Sequence, residues 1–153
     1  MSNKEVIDHL NIILRNELVA INQYFLHAKI LQDQGFTKLA AVSKKESIDE
    51  MKHADAIIER ILFLKGIPNM DNYKKLSVAS EAEAMIKNDL NLEIDAIKDL
   101  SNAISVAEKA KDTGTKDLLE KILISEEDHQ DFLETQLGLI KSLGIQNYLS
   151  TQV

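Results

Sequence analysis

Ile48-Asp49-Glu50-Met51-Lys52-His53-Ala54-Asp55 returns 76 positions later as Ile124-Ser125-Glu126-Glu127-Asp128-His129-Gln130-Asp131. Both copies carry Glu-x-x-His. On a helix, residues i and i+3 share a face, so each copy offers a carboxylate and an imidazole toward one axis. The same offset links Glu17-Leu-Val-Ala-Ile21 to Glu93-Ile-Asp-Ala-Ile97. The chain therefore reads as two related helical hairpins, each with a glutamate on its first helix and Glu-x-x-His on its second.

Working outward from these motifs, four long segments keep helical period, and their breaks fall at helix-stop residues. The first covers roughly 3–34, opened by an expected capping box of Ser2 and Glu5 and closed by Gly35. The second covers roughly 37–65 and stops at Gly66-Ile67-Pro68. The third opens with another expected capping box, Ser80 and Glu83, and runs to about Lys111. The fourth follows Thr113-Gly114 and reaches about Leu143, after which Gly144 precedes Ile145–Leu149, a stub of one or two turns. The first seam, Ile7, Leu10, Leu14, Glu17, Ile21, Tyr24, Ala28 and Leu31, alternates steps of three and four as a bundle core does. The other seams are likewise apolar apart from their acidic and imidazole positions and Gln136 on the fourth. Gly35 lies midway between Glu17 and His53, so an antiparallel turn there brings the two level. Residue 111 stands midway between Glu93 and His129 in the same way. Gly66 to Ala79 makes a link of 14 residues, against the roughly 2 to 8 usual between neighbouring antiparallel helices. Extended, it reaches about 46 Å, close to the ~43 Å of the second helix. It is long enough to cross the bundle and set the second and third helices parallel, although the heights of the polar residues suit either direction.

A length of 153 residues suits one domain, taken as residues 1–153. Only 5 Gly and 1 Pro among 44% apolar residues mark an all-α chain, because the punctuation of sheets and loops is scarce. The net charge of −7, with both signs interspersed, argues against nucleic acid and anionic membranes as partners and in favour of cations. The lack of Cys removes disulfides, thiolate zinc and iron–sulfur sites and thiol nucleophiles, and fits a reducing compartment. With no apolar run of spanning length and no signal-like start, the expected location is the cytoplasm.

Four carboxylates inside an apolar bundle could not all remain ionised unaided, since desolvation and mutual repulsion raise their pKa values. Two divalent cations would balance the charge of Glu17, Glu50, Glu93 and Glu126, with His53 and His129 as imidazole caps. This donor set suits Fe and Mn and tolerates Zn. A lone Glu or His on a seam is ordinarily a paired or snorkelling side chain, but six at one level, repeated at a fixed offset, are not explained that way. One Glu from each of two helices and Glu-x-x-His from each of the other two resembles the pattern of ferritin-like di-iron and di-manganese bundles. Glu46 faces the same seam one turn off; it could serve as a ligand, but a place beside the ligands, an ion path or solvation at the bundle end suits it better. Tyr24 is either core packing or a redox-active phenol near the site. His9 and His27 fall on other faces and are expected in solvent. An outward apolar stripe of Ile48, Met51, Ile58 and Leu62, flanked by Leu18 and Phe25, implies a subunit interface.

In Asn16-Glu-Leu-Val-Ala-Ile-Asn-Gln-Tyr-Phe25, Glu46-Ser-Ile-Asp-Glu-Met-Lys-His-Ala-Asp55, Glu59-Arg-Ile-Leu-Phe-Leu64 and Gln146-Asn-Tyr-Leu149 the sequence closely resembles the bacterioferritin family. The resemblance implies a ferritin-like four-helix bundle with a long crossover between its second and third helices and a short fifth helix. It also implies assembly of two-fold dimers into a hollow 24-mer. The implied activity is ferroxidase: Fe(II) oxidation by dioxygen or hydrogen peroxide at a di-iron centre, followed by storage of ferric mineral. By resemblance Glu17 and Glu93 are terminal ligands, Glu50 and Glu126 bridge, and His53 and His129 cap. Met51 matches the methionine that, with its two-fold mate, ligates a haem b shared between subunits, and a ferredoxin-type reductant would serve iron release. Lys45 stands where some members have a histidine for an inner-surface iron, although Asp49 remains. Ile57 and Phe132 replace a tyrosine and a tryptophan found in other members, which throws more weight on Tyr24. The competing readings are a non-storing di-iron or di-manganese peroxidase or catalase, and a purely structural bundle, which would need no mid-core glutamate on every helix.

Overall fold

The computed structural model describes residues 2–153, Ser2 by its backbone alone. Its helices are α1 (Ser2–Asp33), α2 (Thr37–Phe63), α3 (Ala82–Lys109), α4 (Thr113–Leu143) and the short α5 (Ile145–Ser150). Among the described residues there is no strand, and no helix is long and apolar enough to cross a membrane. α1 packs on α2 and α3, α4 packs on α2 and α3, and α5 turns back onto α4.

The helix ends use less glycine than the sequence suggests. Gly35, at φ +90°, closes α1 in the left-handed conformation that costs glycine nothing, and Phe36 N–H donates back to Leu31 O. In the other two long turns the left-handed residue is a lysine: Lys65 after α2 and Lys111 after α3. Gly66 and Gly114 are needed for another reason, close approach. A Cβ on Gly66 would stand 2.8 Å from the Ile7 side chain, and one on Gly114 would stand 2.6 Å from the Arg60 guanidinium. The capping box expected at Ser80 and Glu83 does not form. Glu81 is the residue preceding α3 and makes no side-chain cap, while the Ser80 carbonyl accepts from Gln34 Nε2 at 2.7 Å. The box expected at Ser2 depends on a side chain outside the described residues. α4 starts at Thr113 itself, with Asp112 accepting from Thr115 N–H; Arg60 holds Asp112 at 2.7 Å and so ties α2 to this turn.

The link from α2 to α3, residues 64–81, climbs the length of α1. Asn3 donates to Leu64 O, Asn11 clasps Ile67 O and Asn69 N–H, Gln23 accepts from Ser77 N–H, His27 from Ala79 N–H, and Gln34 reaches Ser80 O. The α1 partners ascend in the same order as the loop, so the chain re-enters at the end where α2 began and α3 runs parallel to α2. His27 corrects the sequence reading: expected in solvent, it is 0% exposed, because the crossover lies over that face of α1 and Asp89 of α3 closes on its Nδ1 at 2.9 Å. His9 is half-exposed.

The polar layer lies between two apolar clusters. One is built on Leu10, Leu14, Ile57, Ile61, Leu100 and Leu119, the other on Leu31, Leu39, Met85, Ile86, Leu133 and Tyr148. α5 closes the second cluster by burying Tyr148, whose hydroxyl donates to Gln136 Oε1 at 2.7 Å. The tail beyond it caps α2, since Lys38 N–H donates to Gln152 O.

Candidate metal centre

α2 is stitched to α1 by Ser43 and Ser47, one turn apart, which donate to the carbonyls of Tyr24 and Ile21 at 2.9 and 2.8 Å. Asn16 reaches Asp99 at 2.8 Å and sets α1 against α3. With Arg60 of α2 donating to Thr115 Oγ1 at the start of α4 at 2.9 Å, these fastenings bring Glu17 and Tyr24 of α1, Glu50 and His53 of α2, Glu93 of α3, and Glu126 and His129 of α4 into one interior layer. Glu17, Glu50, Glu93 and Glu126 are each only 1% exposed.

Two groups of donors resolve within the layer. Glu17, Glu50, His53 and Glu126 each present an atom such that all lie within 4.8 Å of one another. His53 Nδ1 stands 3.4 Å from Glu17, 3.5 Å from Glu50 and 3.1 Å from Glu126. The second group centres on His129, whose Nδ1 is 3.1 Å from Glu93 Oε1 and 3.6 Å from Glu46 Oε2; Glu46, Glu50 and His129 again lie within 4.8 Å. Glu46 thus reaches the centre, closer than its position one turn along the seam implied. Tyr24 donates its hydroxyl to Glu93 Oε1, and its ring meets His129 edge-on with centroids 5.0 Å apart.

Glu17 Oε2, Glu50 Oε2, Glu93 Oε2, Glu126 Oε1 and His53 Nδ1 are buried and lack any hydrogen-bond partner. His53 and Glu126 approach without the alignment of a hydrogen bond, so these lone pairs converge on shared points instead of on each other. Unpaired buried polar atoms are costly, and five in one layer are resolved by cations placed among them. In electrostatic terms the layer holds protons where cations would sit. Burial, with Glu126 beside it, pushes Glu93 up to about 8. Burial likewise takes Glu126 to about 7, and Glu46, with Asp49 adding, to about 7. Burial alone would lower His53, but the neighbouring Glu126 and Glu50 carboxylates outweigh it and raise the imidazole to about 10. Tyr24 is held well above the ordinary phenol range by burial and by the Glu93 and Asp89 charges.

Sequence reading missed a second polar group directly against this layer. Asp89, one turn before Glu93, accepts from Gln23 at 2.8 Å and pairs with His27. Its signal was present as Gln23 and His27, four apart on one face of α1, with Asp89 in register, but only the crossover covering that face makes it a buried network. On the outside of α2, Met51 is 58% exposed, with Ile48, Leu62 and Phe25 of α1 also exposed. Lys45 holds Asp49 at 2.9 Å on the surface, so Asp49 already has a cationic partner.

A four-helix bundle whose interior layer presents paired carboxylates and imidazoles in two groups is a dimetal carboxylate protein. The sequence profile of the ferritin-like domain family matches residues 7–143. The chain is 45% identical over 149 residues to a bacterioferritin of Streptomyces coelicolor, covering 97% of this chain and 89% of that one. It is 44% identical over 144 residues to a bacterioferritin of Mycobacterium bovis, covering 94% and 91%, and 42% identical over 149 residues to a bacterial ferritin of Synechocystis, covering 97% and 96%. The chain belongs to the bacterioferritins, within the ferritin-like family.

Proposed function

We propose that the chain oxidises Fe(II) at this layer and stores the ferric product inside a 24-mer assembled from two-fold dimers. The observation that carries the reading is the set of five orphaned donor atoms converging within the bundle core. Two Fe(II) ions enter as substrate. Glu17, Glu50, His53 and Glu126 hold one; Glu93 and His129, with Glu50 and Glu126 between the two, hold the other. Glu46, half-buried at the edge, is the carboxylate an incoming ion meets first. Each Fe(II) gives up one electron: dioxygen then takes two electrons and two protons to become hydrogen peroxide, or peroxide takes the same to become two waters. The protons held by Glu93, Glu126 and His53 leave as the cations bind. Tyr24, fastened to Glu93, is placed to move a proton onto that carboxylate if its phenol is oxidised.

Met51 suits haem b ligation. A thioether is a recognised haem iron ligand, and this one stands exposed in an apolar field on the face expected between two copies, so two Met51 side chains would hold a haem whose redox chemistry serves electron transfer toward the mineral. A ferredoxin-type reductant would supply those electrons for iron release. The cysteine-free composition suits the cytoplasm, where we place the protein.

The test is Fe(II) titration of the metal-free protein with oxygen present, followed by absorbance and by sedimentation. Rapid oxidation to about two irons per subunit, then slower uptake into a large particle, is expected. A hard stop at that level on a small oligomer would mean a non-storing oxidase or peroxidase. Glu93→Ala combined with Glu126→Ala is expected to abolish the rapid phase while leaving helix content by circular dichroism; unaltered kinetics would reject the site.

A further inference from the structure

Only one ring nitrogen of His129 faces the metal layer. Nδ1 stands 3.1 Å from Glu93 Oε1 and 3.6 Å from Glu46 Oε2, whereas Nε2, on the other side of the ring, has no partner among the described residues. An imidazole ligates through a lone pair, so with Nδ1 turned to a metal the ring proton sits on Nε2 and needs an acceptor. In metal-bound histidines that second nitrogen is ordinarily bonded to a carboxylate, a backbone carbonyl or a water, and the bond fixes both the tautomer and the angle of the ring.

Asp89 offers the acceptor. It lies one turn before Glu93 on α3 and lines the same small pocket as His129, with Ser43 of α2 as the third polar wall. Its Oδ1 is committed, accepting from Gln23 Nε2 at 2.8 Å and facing His27 Nδ1 at 2.9 Å. Ala79 N–H donates to His27 Nε2, so the His27 proton is on Nδ1 and points at Asp89. These two donors hold the carboxylate by one oxygen and leave Oδ2 free, without a partner among the described residues. Neither Oδ2 nor His129 Nε2 is one of the sealed orphan atoms of the core, so water reaches both.

The pocket has room for one water. It leaves about 20 Å³ for the centre of a water-sized sphere, and a single water needs roughly 10 to 15 Å³. A water there accepts from His129 Nε2–H and donates one proton to Asp89 Oδ2. Its other proton goes to a lone pair of Ser43 Oγ, whose own proton is given to Tyr24 O. Three bonds are the usual complement of a buried water. We infer that Asp89 is a positioning residue for His129, accepting its Nε2–H through this one water, and that Gln23 and His27 hold Asp89 to that task. The crossover thereby reaches the metal layer: Ala79 N–H sets His27, His27 sets Asp89, and Asp89 sets the ring. Asp89 has this role only if His129 meets iron through Nδ1, as the ferroxidase reading holds.

Asp89→Asn is the variant to make. The amide oxygen can keep the bonds from Gln23 and His27, while the amide nitrogen puts a donor where Oδ2 accepted. Co(II) takes nitrogen and oxygen ligands as Fe(II) does, and its binding in the absence of oxygen is read by absorbance and calorimetry without turnover. About two Co(II) per subunit are expected in the unsubstituted metal-free protein. In Asp89→Asn one of them is expected to bind about tenfold more weakly and the other within about twofold, with helix content by circular dichroism unchanged. Equal weakening of both, the mark of a role confined to the fold, or no change in either, overturns the inference. A second measurement needs no variant. A high-resolution crystal structure of the Zn(II)-loaded protein is expected to show His129 Nε2 bonded to Asp89, by way of one water or directly; Nε2 bonded elsewhere, or to bulk solvent alone, overturns the assignment. Fewer than two Co(II) per unsubstituted subunit would instead sink the dimetal reading itself.

Discussion

At the scale of single residues the chemistry turns on carboxyl groups that keep their protons near neutrality. Glu93 and Glu126 stand near 8 and 7 in the folded protein, above the ordinary 4.5, and His53 stands near 10, above 6.5. Between those limits the folded state holds more protons than the unfolded state. The stability tied to these groups is full below their ordinary values and is lost as pH rises through about 7 to 8 for the carboxylates and about 10 for His53. The metal-free protein is therefore expected to melt at progressively lower temperature from about pH 6 to pH 9, and Zn(II), which replaces the protons, is expected to flatten that slope. A melting temperature that climbs with pH over this interval in the absence of metal would contradict the arrangement. The same exchange predicts proton release when Zn(II) is added at neutral pH in weak buffer. The ligand types and their spacing were legible in the sequence because i and i+3 must share a helix face. Glu46 was legible as a carboxylate on the same seam, a ligand at most by allowance, since its distance to His129 depends on how closely α2 and α4 approach.

Among the elements, the crossover is where a local substitution has the widest effect. His27 accepts from Ala79 N–H and pairs with Asp89, joining α1, the loop and α3. His27→Leu keeps the bulk but strands the Ala79 donor and one Asp89 bond, and is expected to cost about 2 kcal/mol. It should also speed proteolysis within residues 64–81 ahead of any loss of helix; loop cleavage at the original rate would show that the other anchors suffice. Gly66 tests a different constraint. Gly66→Ala forces a Cβ against Ile7 and is expected to cost roughly 1 to 3 kcal/mol, read as a melting temperature lower by several degrees; an unchanged value would mean that Ile7 moves aside. Helix boundaries from periodicity came within two residues for α2 and α3, because the apolar stripe ends where packing ends. The caps were less legible, since Lys65 and Lys111 take left-handed positions that propensity assigns to glycine, held there by the Schellman bonds to Ile61 and Ala107.

For the whole molecule the open question is the outward face of α2. Met51, Ile48 and Leu62 form an apolar surface that the chain does not cover for itself. Met51→Ala is expected to remove haem absorbance while leaving the rate of Fe(II) oxidation unchanged and the large particle intact in sedimentation. Haem retained at full occupancy would reject Met51 as its ligand.

The repeat at 76 residues, the seams and the six donors at one height are properties of spacing along the chain, and spacing survives any arrangement of helices, so they could be read without coordinates. The direction of α3, the burial of His27 with Asp89 and Gln23, and the reach of Glu46 could not. The last depends on how closely α2 and α4 approach; the first two depend on which surfaces the 64–81 crossover brings together, and the polar heights near mid-helix are the same whether α3 runs parallel or antiparallel to α2. Only the ascending set of bonds between α1 and the loop selects one direction, because those bonds join residues more than 40 positions apart and exist only once the bundle has closed.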